Sequence, residues 1–166
     1  THISKFLTIT LLTFVNSVFA QKIWSERFDI PGKGIGGSEN GTIQSDFSGI
    51  SSWWLEVPSL ESADSNDYAK TVATSGGRFE VRDIHHEIAW VSEEIDIPAY
   101  KKVQITLTAR ETGSGANQKT KYIKAGYRLD NGTIKTFGVN GKNHGNWGSA
   151  TAQQSGIAGH TLQVVV

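Results

Sequence analysis

The chain has 166 residues, no cysteine, and 16 basic side chains against 16 acidic ones. A balanced charge gives no electrostatic footprint for nucleic acid, so that class of partner is not expected. Without cysteine there are neither disulfide staples nor thiol nucleophiles, and stability must come from apolar burial, helped at most by a metal ion.

Lys5 precedes the apolar run FLTITLLTFV, which ends in the small-residue stretch NSVFA. A basic front, a short greasy core and a small-residue end make a secretory signal peptide with cleavage after Ala20. The core is short for a bilayer span and carries Thr8, Thr10, Thr13 and Asn16. Residues 1–20 are therefore expected to be a leader, and 21–166 one exported domain, secreted or held at a cell surface, with no membrane span after leader removal. The chain starts at Thr1, and Val164 to Val166 read as an unfinished strand, so the domain is expected to continue past residue 166.

KIWSERFDI, 22–30, predicts a strand with Trp24, Glu26, Phe28 and Ile30 on one face. A carboxylate in line with three large apolar groups needs a reason: Glu26 either reaches solvent at a sheet edge or helps to hold a structural cation. The glycine-dense stretch 31–41 has neither the spacing of a Walker loop nor a following helix, and reads as a surface loop. ISSWWLEV alternates Trp53, Leu55 and Val57 with Trp54 and Glu56, which sends one tryptophan inward and the other outward. Trp54 is then either a stacking platform for a sugar or a ring covered by a neighbouring loop.

ESADSNDY lacks calcium-loop spacing, because Tyr68 stands where a ligand belongs, and reads as a solvated loop. AKTVATS and RFEVRD, joined at Gly76 and Gly77, predict a hairpin. His85, His86 and Glu87 follow in a loop, as surface residues rather than a closed zinc site. Ile88 and Trp90 share a face of the next strand. KVQITLTAR gives the cleanest alternation, with Val103, Ile105, Leu107 and Ala109 on one side. KYIKAGYRLD alternates Ile123, Ala125, Tyr127 and Leu129 and turns at Asp130–Asn131–Gly132. A bulged turn, with Gly132 left-handed, places Phe137 and Val139 opposite Ala125 and Ile123. The polar loop 140–149 carries Asn143, His144, Asn146 and Trp147, residue types that hydrogen-bond and stack on a sugar ring, although Trp147 equally suits a plug at a strand end. HTLQVVV begins a last strand.

Every amphipathic strand has to bury one face against a second layer, so the expected fold is all-β, an antiparallel β-sandwich. The order of W-S-E-R-F at 24–28, F-E-V-R-D at 79–83, W-V-S-E-E-I-D-I at 90–97, Y-I-K-A-G-Y-R-L-D-N-G at 122–132 and G-H-T-L-Q-V at 159–164 resembles a jelly-roll module of large exported and surface proteins of Gram-negative bacteria, similar to galactose-binding-like and carbohydrate-binding sandwiches. The resemblance implies a jelly roll closed by further strands, a structural calcium to which Glu26 contributes, other domains in the same longer chain, and a polysaccharide or other glycan as partner. EEIDIPAY looks like the E-x-D-x-(x)-E signature of laminarinase-type glycosidases. Glu94 and Asp96 match its first two carboxylates, but Pro98 and Ala99 occupy the acid/base position and neither can protonate a leaving group. No catalytic residue is therefore assigned. The expected function is a non-catalytic carbohydrate-binding or recognition module, with Trp54, Asn143, His144, Asn146 and Trp147 as ligand contacts. The alternative is a structural spacer domain, and a glycosidase comes third.

Overall fold

The computed structural model describes residues 21–36, 53–57, 66–82, 87–109, 122–138, 142–144 and 150–166. The predicted leader, His85, His86, Asn146 and Trp147 lie outside them. The described chain is an antiparallel β-sandwich of short strands, and none of its helices is long and apolar enough to cross a membrane.

The strands are β1 (Gly34–Gly36), β2 (Trp54–Glu56), β3 (Tyr68–Val72), β4 (Arg78–Arg82), β5 (Ala89–Val91), β6 (Ile95–Asp96), β7 (Val103–Ala109), β8 (Tyr122–Lys124), β9 (Gly126–Leu129), β10 (Lys135–Thr136), β11 (Lys142–His144), β12 (Ala150–Ile157) and β13 (Thr161–Val165). The largest sheet runs β10-β9-β13-β5-β2, with β6 also on β13; β1-β3-β4, β11-β8 and β12-β7 form three smaller ones. The final strand is thus the centre of the main sheet, flanked by β9 on one side and by β5 and β6 on the other. Four of its five residues are buried, as expected of a strand covered on both faces.

The core forms where β7 and β12 lay Val103, Ile105 and Ile157 against Trp90, Ala125, Phe137, Leu162 and Val164 of the main sheet and its hairpin. Each such aliphatic side chain contributes about 1.5–3 kcal/mol when taken fully out of water. Trp24, Phe28, Trp53, Phe79 and Trp90 extend this core as an aromatic cluster with centroid separations of 5.5–6.5 Å, in the tilted and edge-to-face geometries that the ring quadrupoles favour.

Three expectations need correction. Residues 22–30 are not a strand: Glu26 Oε1 accepts from the Phe28 backbone N–H at 2.5 Å and Phe28 takes a φ of 56°, which ends the alternation. Trp24 and Phe28 still pack inward, while Ile30 is exposed. The glycine-rich loop is in part a strand, because β1 pairs with β3, Gly34 opposite Lys70 and Gly36 opposite Tyr68. A Cβ on Gly34 would lie 2.2 Å from the Ala69 carbonyl oxygen, so only glycine permits this approach. Finally, the 129–132 turn is left-handed at Asp130 and Asn131, not at Gly132, and the Gly132 N–H closes it on Leu129 O. Lys135 stands opposite Tyr127, one residue beyond what a plain two-residue turn gives, so the chain bulges before β10. Phe137 does face Ala125, its N–H bonding Ala125 O at 2.9 Å; Ile123 pairs with Asn143, and Val139 lies outside the described residues.

A second bulge lies in the main sheet. Val91 stands opposite Val165 and Ile95 opposite Leu162, so three residues face two. Ser92 Oγ accepts from Val164 N–H at 2.8 Å and Gln163 Nε2 donates to Ser92 O at 3.3 Å, which satisfies backbone groups the bulge takes out of the ladder. Past it, Ile95 and Ile97 turn inward and Glu94 and Asp96 outward to solvent.

Candidate functional site

β2 is an edge strand of the main sheet and is preceded by Trp53. Alternation splits the two tryptophans: Trp53 is 2 % exposed within the aromatic cluster and Trp54 is 37 % exposed on the opposite face. Register then carries the Trp54 row across five strands, with Trp54 opposite Val91, Val91 opposite Val165, Val165 opposite Gly126, and Gly126 opposite Thr136. Val91 and Val165 are buried although they point away from the core just described. The row is therefore buried along its middle and open at its two ends, at the Trp54 indole and at Thr136.

Polar groups flank the row on both sides. Arg128, two residues along β9 from Gly126, donates through Nη1 to Gln163 Oε1 at 3.3 Å, and its Nη2 lies 3.6 Å from Glu56 Oε1. Glu56 points the same way as Trp54 and stands opposite Ala89. Glu87, two residues before Ala89, is on extended chain its diagonal neighbour. Glu56, Val57, Glu87 and Ala89 line an open depression of about 510 Å³.

The depression is tied to a distant part of the chain. The Tyr122 hydroxyl in β8 donates to Glu87 Oε2. That bond to a carboxylate raises the tyrosine above its ordinary pKa, because losing the proton would set two negative groups face to face. Tyr122 is also the ladder partner of His144, and Ile123 that of Asn143.

Of the residues expected from sequence, Trp54 therefore sits on an open outward face. Asn143 and His144 lie in β11, beside the strand whose tyrosine reaches the depression, so residues 142–144 of the expected loop are strand. Asn146 and Trp147 fall outside the described residues. Glu26 holds the Phe28 backbone, and no group of three or more histidine, aspartate or glutamate side chains that could hold a metal ion occurs among the described residues. Sequence reasoning passed over Glu56, Glu87, Tyr122, Arg128 and Gln163. Only Glu56 carried a local signal, its alternation in step with Trp54; the others arrive by strand pairing across tens of residues.

Such an arrangement can bind a hydroxylated ring. An exposed indole supplies an apolar face, two carboxylates accept from hydroxyl groups, and a guanidinium donates to oxygen. Each carboxylate already has a partner, Glu56 the Arg128 guanidinium as an ion pair and Glu87 the Tyr122 hydroxyl that donates to it, which orients it before a ligand arrives. No family model, no curated protein and no solved structure matches this chain.

Proposed function

We propose that this protein is a non-catalytic carbohydrate-binding module of a secreted or cell-surface protein, and that its ligand lies on the outward face of the main sheet, against Trp54. The observation that carries the reading is the placing of Glu56 and Glu87 around one open depression, with Arg128 and Tyr122 beside the two carboxylates and Trp54 exposed on the same face of β2 as Glu56. Sugar rings present an apolar face edged with hydroxyls, and this surface offers the complement of both. Binding is preferred to hydrolysis because the one sequence resemblance to a glycosidase lacks its acid/base at Pro98 and Ala99.

The test is calorimetric titration with soluble β-glucans, xylans and mannans, together with co-sedimentation on insoluble polysaccharides. Trp54→Ala is expected to weaken binding at least tenfold while changing Tm little, since the ring is already partly in water. Absence of binding to every glycan would sink the proposal and leave the structural spacer as the better reading.

A further inference from the structure

The stretch that follows the expected leader is packed from Ile23 onward and lies in solvent before it. Ile23 and Trp24 sit against the core, and the Trp24 indole bonds Glu93. Gln21 and Lys22 are exposed and belong to no strand, and Gln21 makes no hydrogen bond among the described residues. Val18 and Ala20 hold the two outer positions of the A-x-A-like cleavage pattern, so a cut after Ala20 makes Gln21 the first residue of the exported chain.

A terminal glutamine can react with itself. Attack of its α-amine on its own side-chain amide joins N, Cα, Cβ, Cγ and Cδ into an unstrained five-membered ring, whereas asparagine could give only a four-membered one. An α-amine has a pKa of about 8, so part of it is neutral and nucleophilic at neutral pH. Because amine and amide belong to one residue, the attack is intramolecular and needs no encounter, the advantage that well-oriented groups draw from proximity. A buried or ladder-bonded side chain could not fold back on its own nitrogen. Gln21, exposed and held by no partner, can.

We propose that Gln21 is a modification site: once the leader is cut after Ala20, a step that rests on the export reading and not on the glycan one, its new α-amine closes on its side-chain amide to give pyroglutamate. The amine nitrogen bonds to Cδ, the Cδ–Nε2 bond breaks, and ammonia leaves with the proton that the amine gives up. No oxidant, cofactor or second substrate is consumed. The product has neither the amine nor its charge, and an aminopeptidase, which holds a substrate by its free α-amine, has no place to begin. Lys22 is the one residue between this cap and the packed Ile23, so the cap seals the exposed end of the stretch that Trp24 fastens to the main sheet.

Intact-mass spectrometry and stepwise N-terminal degradation of the full chain, exported behind its own leader, test this. The mature protein should be lighter by one ammonia than the chain cut after Ala20, should resist N-terminal degradation, and should read from Lys22 after treatment with pyroglutamyl aminopeptidase. Gln21→Asn keeps an amide but cannot form the ring. That variant should carry a free amine, read from residue 21, and lose its first residues to a broad-specificity aminopeptidase under conditions in which the parent keeps them, with Tm unchanged. A mature chain that begins at another residue overturns the proposal together with the cut after Ala20. A chain that begins at Gln21 and keeps its free amine, or equal trimming of the parent and Gln21→Asn, overturns it while leaving the cut in place. The mass and N-terminal reading of the parent decide the point even if the variant is not exported.

Discussion

The indole Nε1 of Trp24 donates to Oε1 of Glu93 at 2.8 Å, joining residues 69 positions apart. Glu93 belongs to the bulge after β5, and the Trp24 ring packs 6.5 Å from Trp90 in the same strand. The stretch 22–30, which forms no strand, is thus clamped to the main sheet by one polar and one apolar contact. Trp24→Phe keeps most of the ring and deletes the donor. A hydrogen bond to a carboxylate contributes about 1.5–3 kcal/mol, so a loss toward the lower end of that range is expected for a part-buried pair, read as a lower urea midpoint with an unchanged m-value. Glu93→Gln keeps an acceptor and should cost less than Trp24→Phe. If both variants melt with the parent, the clamp contributes nothing to stability.

Asp130 couples two turns. Its Oδ1 accepts from the backbone N–H groups of His160 at 2.7 Å and Thr161 at 2.9 Å, and its own N–H bonds Thr161 O. Those donors favour the ionised carboxylate and lower its pKa, the Thr161 bond contributing most. With the folded pKa below the unfolded one, the stability this adds is fully present above the unfolded value of about 3.9 and disappears as pH falls through the folded value. Asp130→Asn retains an acceptor oxygen but no titration, so its stability should decline less steeply between pH 5 and 2. Glu80, lowered chiefly by its bond from Tyr68, contributes a slope of the same sign and leaves a residual decline in both proteins. Parallel acid limbs for parent and variant would remove Asp130 from the account.

Much of this fold is legible in the chain, and the exceptions have physical causes. Val103, Ile105 and Leu107 alternate in sequence and point inward in β7, because a regular strand with one wet face is a purely local pattern. Trp53 and Trp54 part company for the same reason. The alternation of Trp24, Glu26, Phe28 and Ile30 is equally regular, yet Glu26 prefers its own backbone to a sheet partner and Phe28 turns left-handed. Of the candidate site, Trp54 was visible because exposure follows from alternation. Glu56 meeting Glu87 was not, because it depends on β2 choosing β5 as its neighbour, and nothing within either segment encodes that choice. Nor does the sequence show that Tyr122 would reach Glu87.

At Gly159, between β12 and β13, a Cβ would stand 2.6 Å from Leu129 Cδ1, 2.8 Å from Leu129 Cγ and 2.9 Å from Asp130 Oδ2. Leu129 packs against the core and Asp130 is held by two donors, so neither gives way freely. Gly159→Ala should cost about 1–3 kcal/mol, as overpacking at a tight contact does. Gly36→Ala, with open space at its Cβ, is the control and should change stability by less than about 0.5 kcal/mol. Equal melting of the two variants would show that the junction yields without strain.

The bond from Tyr122 to Glu87 is the sharpest test of the main-sheet site, because it links the strand beside β11 to the depression that Glu56 of β2 lines. Glu56 lines the depression from the end of β2, which also carries Trp54. β11, with Asn143 and His144, approaches it through Tyr122. Tyr122→Phe keeps the ring and removes only the hydroxyl. The bond is exposed to water, which competes for both partners, so stability should shift by less than about 0.5 kcal/mol. Binding should respond more strongly: without its donor Glu87 samples more rotamers, and the ligand has to order it on arrival, at about 0.5–1.5 kcal/mol per immobilised side chain. A rise in Kd of roughly two- to tenfold is expected by calorimetry, falling mainly on the entropic term. Glu87→Gln tests the other partner of the bond and should weaken binding further, since a neutral amide is a poorer acceptor for sugar hydroxyls than a carboxylate. If the glycan binds Tyr122→Phe and Glu87→Gln as tightly as the parent while Trp54→Ala abolishes binding, the ligand sits against the Trp54 ring and does not enter the depression.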